Sequence, residues 1–314
     1  MFRLVADYVS NLVIPEGKQI FCTKEDRVIA VPTAPVDGVS PCSHEEVDTR
    51  IVLHARDAAQ AGHSSILMKA SDIDIVVICV SLFDDIGAEE LFVEYGTSKN
   101  LRLLPIHEIK RSLGPRRCRG ILYFYGLTGG DAITAFVGYG KVAAWGVWMA
   151  FDSQFTDMFA KLSYCQSKAD LTDEDFLQVE FFISAMYQHL KSFTPLPIND
   201  TRKKMFLTKG MSFEKLPPTR NVLHFKTLRA LYQCIVWANS LVKEPNLPSV
   251  LDYGWQVVEK NLTFLWSTLP DVVKGCWDTF VKCNCKKSSC TKKCSCRKAG
   301  EVCTTLCGCN CYNA

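Results

Sequence analysis

Nine of the chain's 16 cysteines fall between Cys283 and Cys311, in the run "CNCKKSSCTKKCSCRKAGEVCTTLCGCNC". Their spacing is C-x-C-x4-C-x3-C-x-C-x6-C-x3-C-x-C-x-C. Thiolates at such short intervals are soft ligands suited to zinc, and four complete one tetrahedral ion. Two ordinary sites would leave one cysteine over. Three ions need twelve metal–sulfur bonds, which nine thiolates supply if three of them bridge two metals each. The segment has almost no apolar residues, so metal must supply its folding energy. The expected ligands are Cys283, Cys285, Cys290, Cys294, Cys296, Cys303, Cys307, Cys309 and Cys311, holding three zinc ions. Lys286, Lys287, Lys292 and Lys293 lie between them and could neutralise phosphates.

A second set of residues has hard oxygen chemistry. "EEVDTRIVLHA", "KASDIDIVVI" and "GLTGGDAITAF" carry Glu46 and Asp48, Asp72 and Asp74, and Asp131. The first pair opens a predicted helix, and the second directly follows a predicted strand, where open α/β sheets build their sites. Asp131 follows two glycines that allow close approach. Five carboxylates around one pocket would repel one another unless divalent cations sat among them, and oxygen-only ligands suit Mg²⁺ or Mn²⁺. Two such ions can activate water and stabilise the leaving oxygen in phosphodiester cleavage.

The elements that must position these groups follow from periodicity. "KQIFCTK" and "RVIAVPT" read as strands about a turn, and "EEVDTRIVLHARDAAQAG" as a helix with apolar residues at helical spacing. "SSILMKA", "ELFVEYG" and "LRLLP" read as further strands, and "IHEIKRSLG" as a short helix. This alternation predicts an α/β fold with a mainly parallel sheet over residues 1–141. Long apolar-periodic segments then predict a helical region over 142–280, and 281–314 is the cysteine module. The aromatic runs "ILYFYG" and "AAWGVWMAF" read as core, and His54 as a satisfied surface histidine. Lys99, Lys110, Arg111, Arg116, Arg117 and Arg119 could form a phosphate track or a solvated basic face.

Composition sets the remaining bounds. The chain has 314 residues and a net charge of +3, but from Val281 onward seven Lys and Arg face Glu301 alone. The tail therefore carries six positive charges in excess, and the other 280 residues are three charges negative. No apolar run approaches the roughly 20 residues of a membrane span. The N-terminal stretch is interrupted by Arg3 and Asp7 and does not read as a secretory signal. The seven scattered cysteines in apolar contexts fit a reducing, intracellular setting and argue against a disulfide knot in the tail.

Two resemblances extend this reading. "CNCKKSSC", "CSCRKAGEVC" and "CTTLCGCNCYN" resemble the tesmin-like CXC module, a three-zinc cluster that binds DNA, although Lys293 stands where that family often has tyrosine. The order of the acidic motifs is similar to the PIN-like, flap-endonuclease type of nuclease. The nearest wording is that of invertebrate PIN-like proteins associated with mobile elements. Val47, Ile73, Tyr125 and Gly130 depart from that wording without removing a carboxylate. The PIN-like fold opens with an acid-bearing strand, which the short stretch before Glu46 leaves no room for, so the core is expected to be incomplete at its N-terminus. Together the resemblances imply a Mg²⁺- or Mn²⁺-dependent nuclease, acting in the nucleus and carried to DNA by a zinc module. The competing expectation is a non-catalytic DNA- or chromatin-binding protein built on the same scaffold.

Overall fold

The protein is described from a computed structural model, which covers residues 2–96, 100–130, 135–188, 194–208, 213–269, 283–285, 290–303, 307 and 309. Helix α1 (Phe2–Val9) leads into a hairpin of β1 (Ile20–Lys24) and β2 (Arg27–Val31). Lys24 pairs with Arg27, so the hairpin closes on two residues. Glu25, at φ 58, adopts the left-handed conformation that such a tight turn demands. Helix α2 (Val47–Gln60) follows and buries Thr49, Val52, Leu53 and Ala55 along one stripe.

The central sheet contains β3 (Ser65–Ala70), β4 (Glu90–Tyr95) and β5 (Arg102–Pro105), in that order. Between β3 and β4 the chain crosses over through α3 (Asp74–Ile86), and these two strands are parallel. Strands β4 and β5 are antiparallel. The sequence reading of a mainly parallel sheet therefore needs correction, since β3–β4 is the one parallel pairing among the described strands. The cause is connection length. Only residues 96–101 separate β4 from β5, whereas a parallel return needs a crossover of a dozen or more residues. The apolar run "IVVICVSLF", to which periodicity assigns no element, is α3. It is apolar nearly all round because it is buried nearly all round, from Ile75 to Val80.

Helices α4 (Ile106–Leu113) and α5 (Pro115–Leu127) come next, with Pro115 at the first turn of α5, where a missing N–H costs nothing. The later chain forms α6 (Lys141–Ala150), α7 (Asp152–Ser163), α8 (Asp173–Tyr187), α9 (Ile198–Phe206) and α10 (Arg220–Ala238). Thr172 and Asp175 form a reciprocal capping box at the start of α8. A second hairpin, β6 (Trp255–Val258) with β7 (Asn261–Phe264), follows. The helical region expected after residue 141 is thus present, with this hairpin near its end.

One hydrophobic core runs from Val52 to Tyr253 and spans both regions. Its centre is aromatic. Phe159 lies 4.9 Å from Trp148, 4.9 Å from Phe182 and 5.7 Å from Phe124, ring centroid to centroid. Tilted and edge-to-face pairs of this kind contribute about 0.5–1.5 kcal/mol each beyond area burial. Helix α5 packs so closely on α7 that a Cβ at Gly120 would meet the Phe159 Cβ at 2.9 Å. The aromatic runs read as core from sequence are core: Tyr123, Phe124 and Trp148 are all buried. No described helix is long and apolar enough to cross a membrane.

Candidate metal centres

The acidic site is built by two helix starts. Glu46 precedes α2 in extended conformation, and Asp48 sits in its first turn. Asp72 lies in the short link after β3, and its Oδ1 accepts a hydrogen bond at 3.1 Å from the amide of Asp74, the first residue of α3. Carboxylate oxygens of Asp48, Asp72 and Asp74 all lie within 4.8 Å of one another. Positive helix poles favour negative charge at both positions. Two of the three, Asp48 and Asp72, are partly exposed, while Asp74 is buried. Three such oxygens could serve a divalent cation as ligands, and oxygen-only donors suit Mg²⁺ or Mn²⁺.

Of the five acids singled out by sequence, the structure brings these three together. Glu46 is not among them. Its carboxylate turns to α10 and accepts from Gln233 Nε2 at 3.3 and 3.4 Å. Asp131 lies outside the described residues. Gly129, two residues before it, has φ 123, a conformation that only glycine adopts readily.

Sequence reasoning assigns no role to the groups on the other side of Asp74. Burial pushes the Tyr125 hydroxyl well above its ordinary value, as do the neighbouring charge of Asp74 and a hydrogen bond to its carboxylate. Lys141 Nζ lies 3.5 Å from the centre of the Tyr125 ring. It donates to the Tyr125 carbonyl at 2.9 Å, to Thr128 Oγ1 at 3.5 Å and to the Gly129 carbonyl. Burial brings Lys141 down to about 8, against the opposing pull of Asp74. Lys226, over the ring of Phe136 at 3.9 Å, is brought down to about 7 by burial, with Arg229 and Lys141 adding to the effect. Nothing in "GYGK" signals that Lys141 folds back towards Asp74, or in "FKTL" that Lys226 lies near Lys141; the signal is three-dimensional.

The cysteine tail forms its own cluster, separate from the main core. A four-residue helix, α11 (Ser295–Lys298), has Cys294 at its cap and Cys296 in its turn. Sulfur–sulfur separations include 3.7 Å for Cys283 and Cys290, 3.5 Å for Cys283 and Cys309, 3.6 Å for Cys290 and Cys303, and 3.5 Å for Cys296 and Cys307. A disulfide would need about 2.05 Å. Four sulfurs at about 2.3 Å from one zinc would stand about 3.8 Å apart, close to these values. Three quartets lie within coordination reach: Cys283, Cys290, Cys303 and Cys309; Cys283, Cys294, Cys296 and Cys303; Cys283, Cys285, Cys290 and Cys294. Cys283 belongs to all three. The Arg297 amide donates to the Cys294 sulfur and, with the neighbouring thiols, brings it down to about 6, towards the thiolate that binds metal.

Cys307, the eighth described cysteine, is buried in the same cluster. Cys311, Lys286 and Lys287 lie outside the described residues, whereas Lys292 and Lys293 are exposed. The proposed phosphate track is largely neutralised. Lys110, Arg116 and Arg117 pair with Asp84, Asp157 and Asp152, and Arg119 lies over the ring of Tyr164. His54 meets Thr23 Oγ1 at 3.3 Å, a satisfied histidine as expected. No protein-family model, curated protein or solved structure matches the chain.

Proposed function

We propose that the chain is a divalent-metal-dependent nuclease of PIN-like type, held on DNA by a three-zinc CXC module in its tail. The observation that carries the nuclease half is the convergence of Asp48, Asp72 and Asp74 from two separate helix starts. Asp48, Asp72 and Asp74 would hold Mg²⁺ or Mn²⁺, which when bound would supply water activation and charge stabilisation at a phosphate. Asp131 would add a fourth carboxylate. Tyr125 holds the Asp74 carboxylate in place, and Lys141 secures the end of α5 beneath the Gly129–Gly130 turn.

For the tail, support comes from the sulfur quartets and the surrounding charge. Nine thiolates with three Zn²⁺ add three negative charges, which leaves the tail about +3. Exposed Lys292 and Lys293 then offer phosphate contacts that position the module without reading sequence. Cleavage of single-stranded, flap and duplex DNA with Mn²⁺ or Mg²⁺, compared with Asp72→Asn/Asp74→Asn, tests the nuclease. Absence of metal-dependent cleavage on all three refutes it. The position of Glu46 favours a second reading. With that carboxylate committed to Gln233, one fewer acid serves the metals, which suits a non-catalytic DNA-binding scaffold.

A further inference from the structure

Lys141 stands at the wrong end of its own helix. It is the first residue of α6, where the positive helix pole disfavours a cation. Its side chain is partly withdrawn from water, a further cost to a charge. The groups that answer it come from another element, the C-terminal end of α5 and the turn after it. Its Nζ donates to the Tyr125 carbonyl at 2.9 Å, to Thr128 Oγ1 at 3.5 Å and to the Gly129 carbonyl. The Thr128 hydroxyl gives its own hydrogen to the Phe124 carbonyl at 2.8 Å, which leaves its lone pairs to accept. The Tyr125 ring closes one side, with its centre 3.5 Å from Nζ.

A primary ammonium has three N–H donors and no acceptor, and three oxygens face it here. All three are neutral, two carbonyls and one hydroxyl. The Tyr125 carbonyl belongs to the last turn of α5, where the helix dipole favours positive charge. The face of the Tyr125 ring attracts a cation through its quadrupole. The Asp74 carboxylate, hydrogen-bonded to the Tyr125 hydroxyl, adds a field of the same sense. A neutral group could fill this space, but it would leave that field unanswered.

We propose that the C-terminal end of α5 is a binding site for a primary ammonium group, which in this chain is the head of Lys141 and which a free alkylammonium can replace. The oxygens are held by α5 and its following turn, while the head reaches them from α6, so site and occupant belong to different elements. Cutting the side chain back therefore empties the site and removes none of its oxygens. Methylammonium, the smallest alkylammonium, then meets the same three acceptors and the same ring. Sodium carries no N–H donor, and tetramethylammonium is both donorless and too broad for oxygens set around one nitrogen. The tether spares the native chain the entropy of capturing an ion from solution. It also makes the grip of α6 on the end of α5, and so on the tyrosine that partners Asp74, a matter of charge rather than packing. The site does not depend on the nuclease reading, since its test reads stability and not cleavage.

Thermal unfolding of the full, zinc-loaded chain is compared in sodium, methylammonium and tetramethylammonium chloride at one ionic strength. The pH is set between the values of about 7 for Lys226 and about 8 for Lys141, so that the neighbouring Lys226 is mostly neutral and repels the added ion little. Shifts are read against wild type in the same salt, which cancels general salt effects. Lys141→Ala should melt below wild type in sodium. It should rise by about 2–4 °C when methylammonium reaches about tenfold its Kd, with no rise in tetramethylammonium. Lys141→Met, whose uncharged stem occupies the approach, should stay low in all three salts. Lys141→Ser serves the same test if the alanine variant does not fold. A rise as large in tetramethylammonium, a rise as large in Lys141→Met, or neither a rise nor a recovery of fold in both short variants would overturn the proposal.

Discussion

Glu46 and Asp48 stand two positions apart at the start of one helix, yet their carboxylates serve different neighbours. Asp48 meets Asp72 and Asp74, and Glu46 reaches Gln233 on α10. On a helix, residues two apart point roughly 200° from each other, so an E-x-D pair cannot face one ion unless the first residue lies outside the helix and bends back. Glu46 does lie outside it, in extended conformation, and turns the other way.

Metal titration separates these two acids. Mn²⁺ should raise the unfolding temperature of the zinc-loaded chain, because it binds the folded site and not the unfolded chain. Asp72→Asn/Asp74→Asn should abolish that rise, and Glu46→Gln should retain it. Thermal scans with and without Mn²⁺ decide the matter, and loss of the effect in Glu46→Gln would contradict the geometry described.

The cysteine cluster predicts unequal losses on mutation. Wild-type chain should carry three zinc ions by elemental analysis. Cys283 belongs to all three quartets, so Cys283→Ser should cost two or more ions; Cys285 belongs to one, so Cys285→Ser should cost one. Equal losses from the two variants would mean that Cys283 does not bridge.

Much of this was legible in the chain. The clustering of the tail cysteines was readable because it is specified by local spacing, over fewer than 30 residues. The strand–link–helix context of Asp72 and Asp74 was readable for the same reason. What escaped was long-range. The antiparallel β5 follows from a six-residue link, a constraint outweighed in the sequence reading by the apparent alternation of strands and helices. Tyr125 and Lys141 join the acidic site only through the packing of α5 and α6, which periodicity does not encode. The partner of Glu46 lies 187 positions away.

DNA binding, on the proposed reading, resides in the tail. Deleting residues 281–314 should abolish it. Lys292→Ala/Lys293→Ala should lower the slope of log affinity against log salt by about two, one for each phosphate no longer neutralised. Filter binding across a salt series measures this, and an unchanged slope would remove those lysines from the interface.

Lys226 makes stability depend on pH. Its folded value, about 7, is below the 10.5 of a free lysine. Between those values the unfolded chain holds more protons than the folded one, so stability must rise with pH. Below pH 7 both states are protonated and the full cost of burying the charge is felt. Lys226→Met should therefore flatten the pH profile and stabilise the protein at pH 6 relative to wild type, by about 1–3 kcal/mol. Urea denaturation from pH 6 to 9 tests the sign; a variant with the wild-type slope would show that another group sets it.

The loop before α2 is stitched to the turn after α10. The Ser43 amide donates to the Lys243 carbonyl, His44 Nε2 meets the Val242 carbonyl at 2.6 Å, and Lys243 Nζ donates to the carbonyls of Asp37 and Ser40. These hydrogen bonds span about 200 positions of sequence. During synthesis, the hairpin of β1 and β2 and the start of α2 are made long before the residues that fasten them. Those particular hydrogen bonds can form only after α10 has been synthesised. Pairings of such sequence separation also slow the search for the native state. At this seam, then, the acid-bearing start of α2 is fastened by residues made about 200 positions later.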